Sequence, residues 1–200
     1  MEQLIILAVV GVAMALVVWA AVHWGRKNTK RLHDSWTQAA EQLGGKFVAA
    51  SGSWLKRKGC YVEVVIGDIS VRLDYYVVST GKSHITYSRT GTATSTSKRL
   101  RVYRSNIFSS VGKVLGMQDL LVGDDAYDDM FIIKSDDEDW AIRVLDDLLR
   151  KEHLELSKLM LRVDKGKVET TQLGFDYDVD NLVRRLRFTA ALAFSANQQQ

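Results

Sequence analysis

The sequence contains no proline and a single cysteine, Cys60. One cysteine excludes an internal disulfide, which agrees with a reducing compartment. The absence of proline excludes a rigid proline-rich spacer between parts of the chain. The 200 residues are enough for one domain with its own core besides a membrane anchor.

Charged side chains are missing from the apolar stretch Leu4–Trp24. As a helix this stretch is roughly 30 Å long, which is the thickness of the hydrocarbon core of a bilayer. Basic residues follow it at once, whereas only Glu2 precedes it. By the positive-inside rule we expect a single-pass anchor with the N-terminus outside and the rest in the cytoplasm. The alternative, a cleaved signal peptide, requires a basic start and a shorter apolar core.

Cationic residues are concentrated near the predicted anchor. Residues 25–113 contain 16 Lys and Arg against 5 Asp and Glu, whereas residues 114–200 contain 11 against 18. A basic side chain near an anionic leaflet contributes about 1 kcal/mol to binding. We therefore expect two clusters to face lipid: Arg26, Lys27, Lys30 and Arg31, then Lys56, Arg57 and Lys58. A third cluster is either lipid-facing or a solvated strand surface: Lys98, Arg99, Arg101 and Arg104.

Alternating apolar and polar residues with short links predict an antiparallel β meander. Its predicted strands are Cys60–Ile66, Ile69–Val77, Ile85–Thr94 and Lys98–Ser105. A helix over Lys30–Leu43, stopped by two glycines, precedes the meander and could continue the anchor without a break. The segment Ile107–Met117 is ambiguous because its glycines weaken a helical pattern.

The second half predicts further helices and a hairpin. A capping box that begins at Ser135 opens a helix with an apolar stripe of Trp140, Val144, Leu145, Leu148 and Leu149. A hairpin follows over residues 159–173, and Asp178 or Asp180 caps a last helix. The buried face of that helix is predicted as Val179, Leu182, Val183, Leu186, Ala190 and Phe194. Its other face carries Arg184, Arg185 and Arg187, which we expect to bind a protein partner or a second copy.

These elements predict an α+β fold: an N-terminal transmembrane helix, then one domain with an antiparallel meander and two or three packed helices. Residues 1–29 form the anchor and its basic flank, residues 30–195 form a cytoplasmic domain, and residues 196–200 form a disordered tail.

The stretch Gly123-Asp124-Asp125-Ala126-Tyr127-Asp128-Asp129-Met130-Phe131 carries a family resemblance. With the N-terminal span, the Gly-Gly helix end and the meander, it resembles a group of uncharacterised bacterial membrane-anchored proteins with a GD-x-x-[FY]-D-x-x-F motif. The resemblance covers most of the chain past the anchor. It implies a bacterial inner-membrane setting and supplies no mechanism.

Acidic clusters are the only candidates for metal chemistry. Asp124, Asp125, Asp128 and Asp129 could hold a hard cation, although the spacing of a calcium-binding EF-hand loop is absent. The alternative is a solvated turn beside a helix start. A metal-dependent hydrolase would need Asp124, Asp128, Asp176 and Asp178 to converge, whereas helix capping also explains Asp178.

No nucleotide-binding or nucleophile-elbow motif occurs, so we expect no cofactor. Nucleic acid is an unlikely partner, because no known module with interleaved aromatic and basic residues is present. The sequence favours a membrane-tethered binding or scaffold module that contacts anionic lipid and a protein partner. The hydrolase is the alternative.

Overall fold

The fold was described on a computed structural model of the chain, which covers residues 2–51, 59–81, 83–105 and 120–199. Side chains of residues 2–10 and 12 lie outside this description. The predicted lipid-facing Lys56, Arg57 and Lys58 and the ambiguous segment Ile107–Met117 also lie outside it. The described chain forms an α+β fold in which helices pack on an antiparallel sheet.

The chain begins with one long helix, α1 (Glu2–Gln42), which would be roughly 60 Å long. It continues without interruption into the helix predicted from Lys30 onward. Gly44 ends it with a positive φ of 65°, and the amide of Gly45 donates to the carbonyl of Ala40. Among the described residues, no helix combines the length and the apolar character that crossing a membrane requires. The predicted span Leu4–Trp24 falls partly on side chains outside that description.

Eight strands form one antiparallel sheet in the order β1-β2-β3-β4-β8-β7-β5-β6. The strands are β1 (Lys46–Val48), β2 (Tyr61–Ile66), β3 (Ile69–Ser79), β4 (His84–Ala93), β5 (Leu100–Arg104), β6 (Phe131–Ser135), β7 (Met160–Asp164) and β8 (Lys167–Leu173). The meander is confirmed from β2 to β4, and the hairpin β7–β8 is confirmed. Strand β1 was not predicted.

The predicted adjacency of β4 and β5 is wrong. Strand β8 pairs with β4, from Ser88 opposite Gln172 to Ala93 opposite Lys167, and β7 then separates β8 from β5. The link at residues 94–99 crosses three strand spacings, roughly 14 Å, which is within the reach of six extended residues. A short link therefore does not require neighbouring strands.

Four helices follow α1: α2 (Asp125–Met130), α3 (Glu138–Val144), α4 (Asp147–Glu155) and α5 (Val179–Gln198). The single helix predicted after Ser135 is two helices, because Asp146 accepts a hydrogen bond from the Leu149 amide and caps α4. The cap of α3 is Asp137 rather than Ser135. Leu148, predicted in the apolar stripe, is 76% exposed.

Helix α5 joins two apolar clusters on one face of the sheet. Leu182 and Leu186 pack with Trp36 of α1 and with strands β2 and β3, whereas Phe188 and Leu192 pack with Trp140 and strands β5 to β8. Phe194, predicted in the buried face, is 56% exposed because Ala193 and Ala196 occupy the side toward the core. The helix also extends to Gln198, into the segment predicted as a disordered tail.

Candidate functional site

Helix α1 leaves the domain at Leu32, the first buried residue of its described part. Every side chain described between Ala13 and Lys30 is exposed. The exposed set includes seven large apolar side chains: Met14, Leu16, Val17, Val18, Trp19, Val22 and Trp24. Isolated apolar side chains are ordinary on a surface, whereas a continuous exposed patch indicates an interaction site.

The basic residues predicted to face lipid lie at the base of this exposed segment. Arg26, Lys27 and Lys30 are exposed on α1. Arg31 lies over the ring of Tyr177, with 4.9 Å between its guanidinium carbon and the ring centroid. This cation–π contact ties the exit of α1 to the segment that precedes α5.

A cleft of about 440 Å³ lies beside Arg31, between α1, the α4–β7 turn and the β8–α5 link. We call it the α1 cleft. Its apolar side is formed by Phe175 and Tyr177, whose ring centroids are 6.4 Å apart. Its polar side carries both charges and several hydrogen-bonding groups: Lys158, Glu155, Asp176, Asp178, Asn181 and Gln172. Small-ligand sites have similar volumes but are mostly apolar, so the largely polar and charged lining of this cleft suits a polar ligand group.

Arg185 also lines the α1 cleft, but its side chain is only 1% exposed. Its Nη1 donates to the hydroxyl of Ser88 at 2.8 Å, and its Nη2 donates to the carbonyls of Ser88 and Thr170 at 2.7 and 2.9 Å. Burial lowers the pKa of Arg185 to about 10, so the group is still cationic at neutral pH. No carboxylate within the described residues forms an ion pair with it.

The hydrogen-bonding surroundings of Arg185 continue into a group of buried threonines. Thr189, one turn along α5, donates to the carbonyl of Arg185 at 2.9 Å. The hydroxyls of Thr189 and Thr90 are 2.7 Å apart, and Thr170 completes the group. Strands β4 and β8 are thereby joined to α5 through polar side chains inside the core.

The predicted partner-binding face of α5 is therefore wrong for Arg185. Its spacing of three residues from Leu182 and four from Thr189 places it on the core side, and that spacing was the signal available in the sequence. Arg184 is half-exposed, and its Nε donates to Glu152 at 2.9 Å. This hydrogen bond raises the pKa of Arg184. Arg187 is exposed.

The acidic motif around Asp124 is a structural turn. Gly123 has a φ of 75°, which favours glycine, and Asp124 caps α2 by accepting from the amide of Tyr127. Asp128 accepts from the amides of Val122 and Gly123, each at 3.0 Å. Two of the four candidate cation ligands, Asp124 and Asp128, thus accept hydrogen bonds from backbone amides. The other two, Asp125 and Asp129, are exposed.

The aromatic residues of the same motif pack around a buried histidine that sequence reasoning missed. The Tyr127 hydroxyl lies 2.7 Å from Nδ1 of His153, and the Phe131 ring stacks on the imidazole with centroids 4.2 Å apart. Nε2 donates to the carbonyl of Leu159, so Nδ1 accepts from the tyrosine. Burial lowers the pKa of His153 to about 4 and raises that of Tyr127.

The four carboxylates of the hydrolase alternative divide between two places. Asp124 and Asp128 belong to the α2 turn, whereas Asp178 caps α5 and Asp176 accepts from the Asp178 amide. Nowhere in the described part of the chain do three or more His, Cys, Asp or Glu residues form a group able to hold a metal ion. The arrangement that a hydrolase of this kind needs is not formed.

Three residues of the third basic cluster lie beside carboxylates of their own domain. Lys98 lies 2.9 Å from Asp137, Arg99 2.9 Å from Asp136, and Arg101 3.7 Å from Asp164. Hydrogen bonding to Lys98 lowers the pKa of Asp137, and hydrogen bonding to Asp136 raises the pKa of Arg99. Because these cations are paired, the basic half of the chain has less uncompensated positive charge than its count of Lys and Arg indicates.

Comparison with known proteins identifies the fold. None of the family models and none of the curated proteins compared with the chain matches it, so the resemblance to the bacterial anchored group stays a prediction. The chain is similar to the crystal structure of the mycobacterial trehalose monomycolate transport factor A, TtfA, with a TM-score of 0.53 and 11% sequence identity. The match covers 82% of this chain and 93% of that chain. At this identity the similarity concerns the fold.

Proposed function

We propose that the protein is a membrane-tethered factor for lipid handling in the bacterial inner membrane. Residues 4–24 of α1 would span the bilayer, and the α+β domain would lie on the cytoplasmic side. The uncharged sequence of that stretch and the exposed apolar side chains from Met14 to Trp24 support the tether. The similarity of fold to a mycobacterial transport factor for trehalose monomycolate supports the lipid role.

The α1 cleft is the place that we propose for the polar headgroup of a membrane lipid. The observation that carries this proposal is the position of Arg31, which lines the cleft and is also part of the basic segment at the base of the exposed helix. Gly25 is six residues away, roughly 9 Å along α1. A headgroup could therefore reach donors, acceptors and two aromatic rings close to the bilayer surface.

Filling the cleft tests this proposal. Asn181 is exposed in the first turn of α5, and Asn181→Trp would occupy the cleft without removing the cap that Asp178 provides. The full chain, extracted from membranes in mild detergent, should retain bound lipid detectable by native mass spectrometry. The Asn181→Trp variant should lose most of it, whereas Leu148→Trp, an exposed site on α4, should not. Equal retention by both variants would contradict the proposal.

A protein partner or a second copy is the second contact that we propose, on the helical face with Arg184 and Arg187. Both side chains reach solvent at least in part. Crosslinking from Arg187→Cys in native membranes should give a discrete product of higher mass. Its absence, with efficient crosslinking at control positions, would argue against this contact.

A further inference from the structure

Helix α1 packs on strands β1 and β2, and it runs opposite in direction to β3, the antiparallel neighbour of β2 in the sheet. Just after the end of α1, Gly45 packs so closely on β2 that an added Cβ would clash with the Glu63 carbonyl oxygen and with the Val64 side chain. Val64 pairs with Val71 of β3. Further back along α1, the Trp36 ring contacts the Tyr75 ring at 6.5 Å between centroids. The N-terminal part of α1 and the C-terminal end of β3 therefore lie toward the same end of the domain.

The β3–β4 hairpin therefore projects from the same end of the domain as the exposed part of α1. From Trp36 to Trp24 the helix rises roughly 18 Å, at 1.5 Å per residue. From Tyr75 to Thr80 the strand advances roughly 17 Å, at about 3.4 Å per residue. The tip of the hairpin is thus level with Trp24, where the apolar part of α1 meets its basic flank.

The end of this hairpin extends past its neighbours in the sheet. β2 pairs with β3 only as far as Leu73, and β8 pairs with β4 only from Ser88 onward. Tyr87 makes a single bridge to Gly174, and beyond it no strand in the described residues flanks the pair. The two strands continue together to the pair Ser79–His84. They form a two-stranded arm.

The composition of the arm differs from the rest of the sheet. Residues 75–88 contain no Asp or Glu. Val77 is 50% exposed and points to the helical face, whereas Val78 is exposed on the opposite face. The rings of Tyr76 and Tyr87 stack with 5.4 Å between centroids. Tyrosines beside small apolar residues, on a hairpin whose own sequence has no acidic residue, suit the boundary between headgroups and acyl chains.

We propose that the β3–β4 hairpin is a second contact with the bilayer that holds α1, its tip resting in the headgroup region. The inference rests on the proposed tether, since both contacts need the same membrane. Two contacts fix the rotation of the domain about α1. The α1 cleft lies between these two contacts, because Arg31 on its border belongs to α1 and Phe175 packs against Tyr75 of β3. With the domain held in this way, the cleft faces the lipid surface.

A depth measurement on the full chain tests the second contact. Cys60 is buried and is the single cysteine, so replacing it gives a cysteine-free chain for site-specific labelling. The replacement is Cys60→Ala or Cys60→Ser, whichever variant has a thermal stability closer to that of the native chain. An environment-sensitive fluorophore is placed at Val77→Cys. The control is Val65→Cys, a valine that is 64% exposed and so no less accessible than Val77, near the β2–β3 turn at the opposite end of the sheet.

The labelled chains are reconstituted into vesicles of phosphatidylcholine and phosphatidylglycerol with and without brominated lipid. We expect a blue-shifted emission at position 77 that brominated lipid quenches at least twofold more than at position 65. Flotation after a high-salt wash, measured on the same samples, reports the tether independently.

A chain that floats but shows equal quenching at both positions overturns the second contact and leaves the tether. A blue shift without lipid quenching indicates a protein contact and also overturns it. A chain that does not float overturns both.

Discussion

The charged guanidinium of Arg185 is buried in the core without an ion-pair partner among the described residues. Its hydrogen bonds must offset the free-energy cost of removing the charge from water. Its guanidinium satisfies the carbonyls of Ser88 and Thr170 and the Ser88 hydroxyl, so it holds β4, β8 and α5 together. Replacing it with an apolar side chain would leave these acceptors buried without donors. Unpaired buried acceptors cost about 1–3 kcal/mol each.

We expect Arg185→Met to lower the free energy of unfolding by about 3 kcal/mol. The matched control is Arg187→Met on the same helix, where the exposed side chain should change stability by no more than about 0.5 kcal/mol. Urea unfolding of chains that begin at Lys30 measures both. Similar values for the two variants would show that Arg185 is not a structural group.

His153 makes stability depend on pH because the fold holds it neutral. Its pKa in the folded state is about 4, below the ordinary value of 6.5, so the unfolded chain binds a proton that the folded chain does not. The contribution is fully present above pH 6.5 and is lost as pH falls toward 4. The loss should be on the order of 3 kcal/mol, measured by urea unfolding at several pH values. His153→Gln, which does not titrate, should lack this part of the pH dependence; an unchanged slope would contradict the assignment.

At the scale of helices and strands, local pattern predicted most elements and failed where distant parts of the chain compete. The β2–β3 hairpin and the cap of α5 depend on neighbouring residues: the hairpin was predicted, and Asp178 was one of the two caps predicted for that helix. The insertion of β8 between β4 and β5 depends on pairing partners 80 residues apart, such as Thr90 and Thr170, which no local pattern contains. The acceptors of the buried Arg185 are equally non-local, since Ser88 lies 97 residues before it on β4 and Thr170 lies 15 residues before it on β8.

Helix α1 carries a prediction of its own. Neutralising Arg26, Lys27 and Lys30 to Gln should remove about 1 kcal/mol of attraction to anionic lipid per residue, which is at least tenfold in partitioning for the three together. The control triple is Arg143→Gln, Lys151→Gln and Arg187→Gln, exposed on the other helices. Flotation of chains that begin at Gly25, which keep the three cations but lack the proposed span, measures the preference for anionic over neutral vesicles, which should weaken as salt rises. An equal effect of both triples would contradict a specific role for the base of α1.

At the scale of the whole molecule, three features share the end of the domain from which α1 leaves. They are the exposed apolar part of α1, the α1 cleft and the tip of the β3–β4 hairpin. Tyr127 of the acidic turn belongs to the apolar cluster that contains Trp140, and not to the Trp36 cluster beside α1.

Alkaline extraction of cell membranes tests the tether most directly. Membranes from bacteria that produce either the full chain or a chain beginning at Lys30 are washed with sodium carbonate and sedimented. We predict that the full chain stays in the pellet and that the shorter chain, which keeps Leu32 and Trp36 for packing, is folded and in the supernatant. Release of the full chain into the supernatant would contradict a membrane-spanning α1.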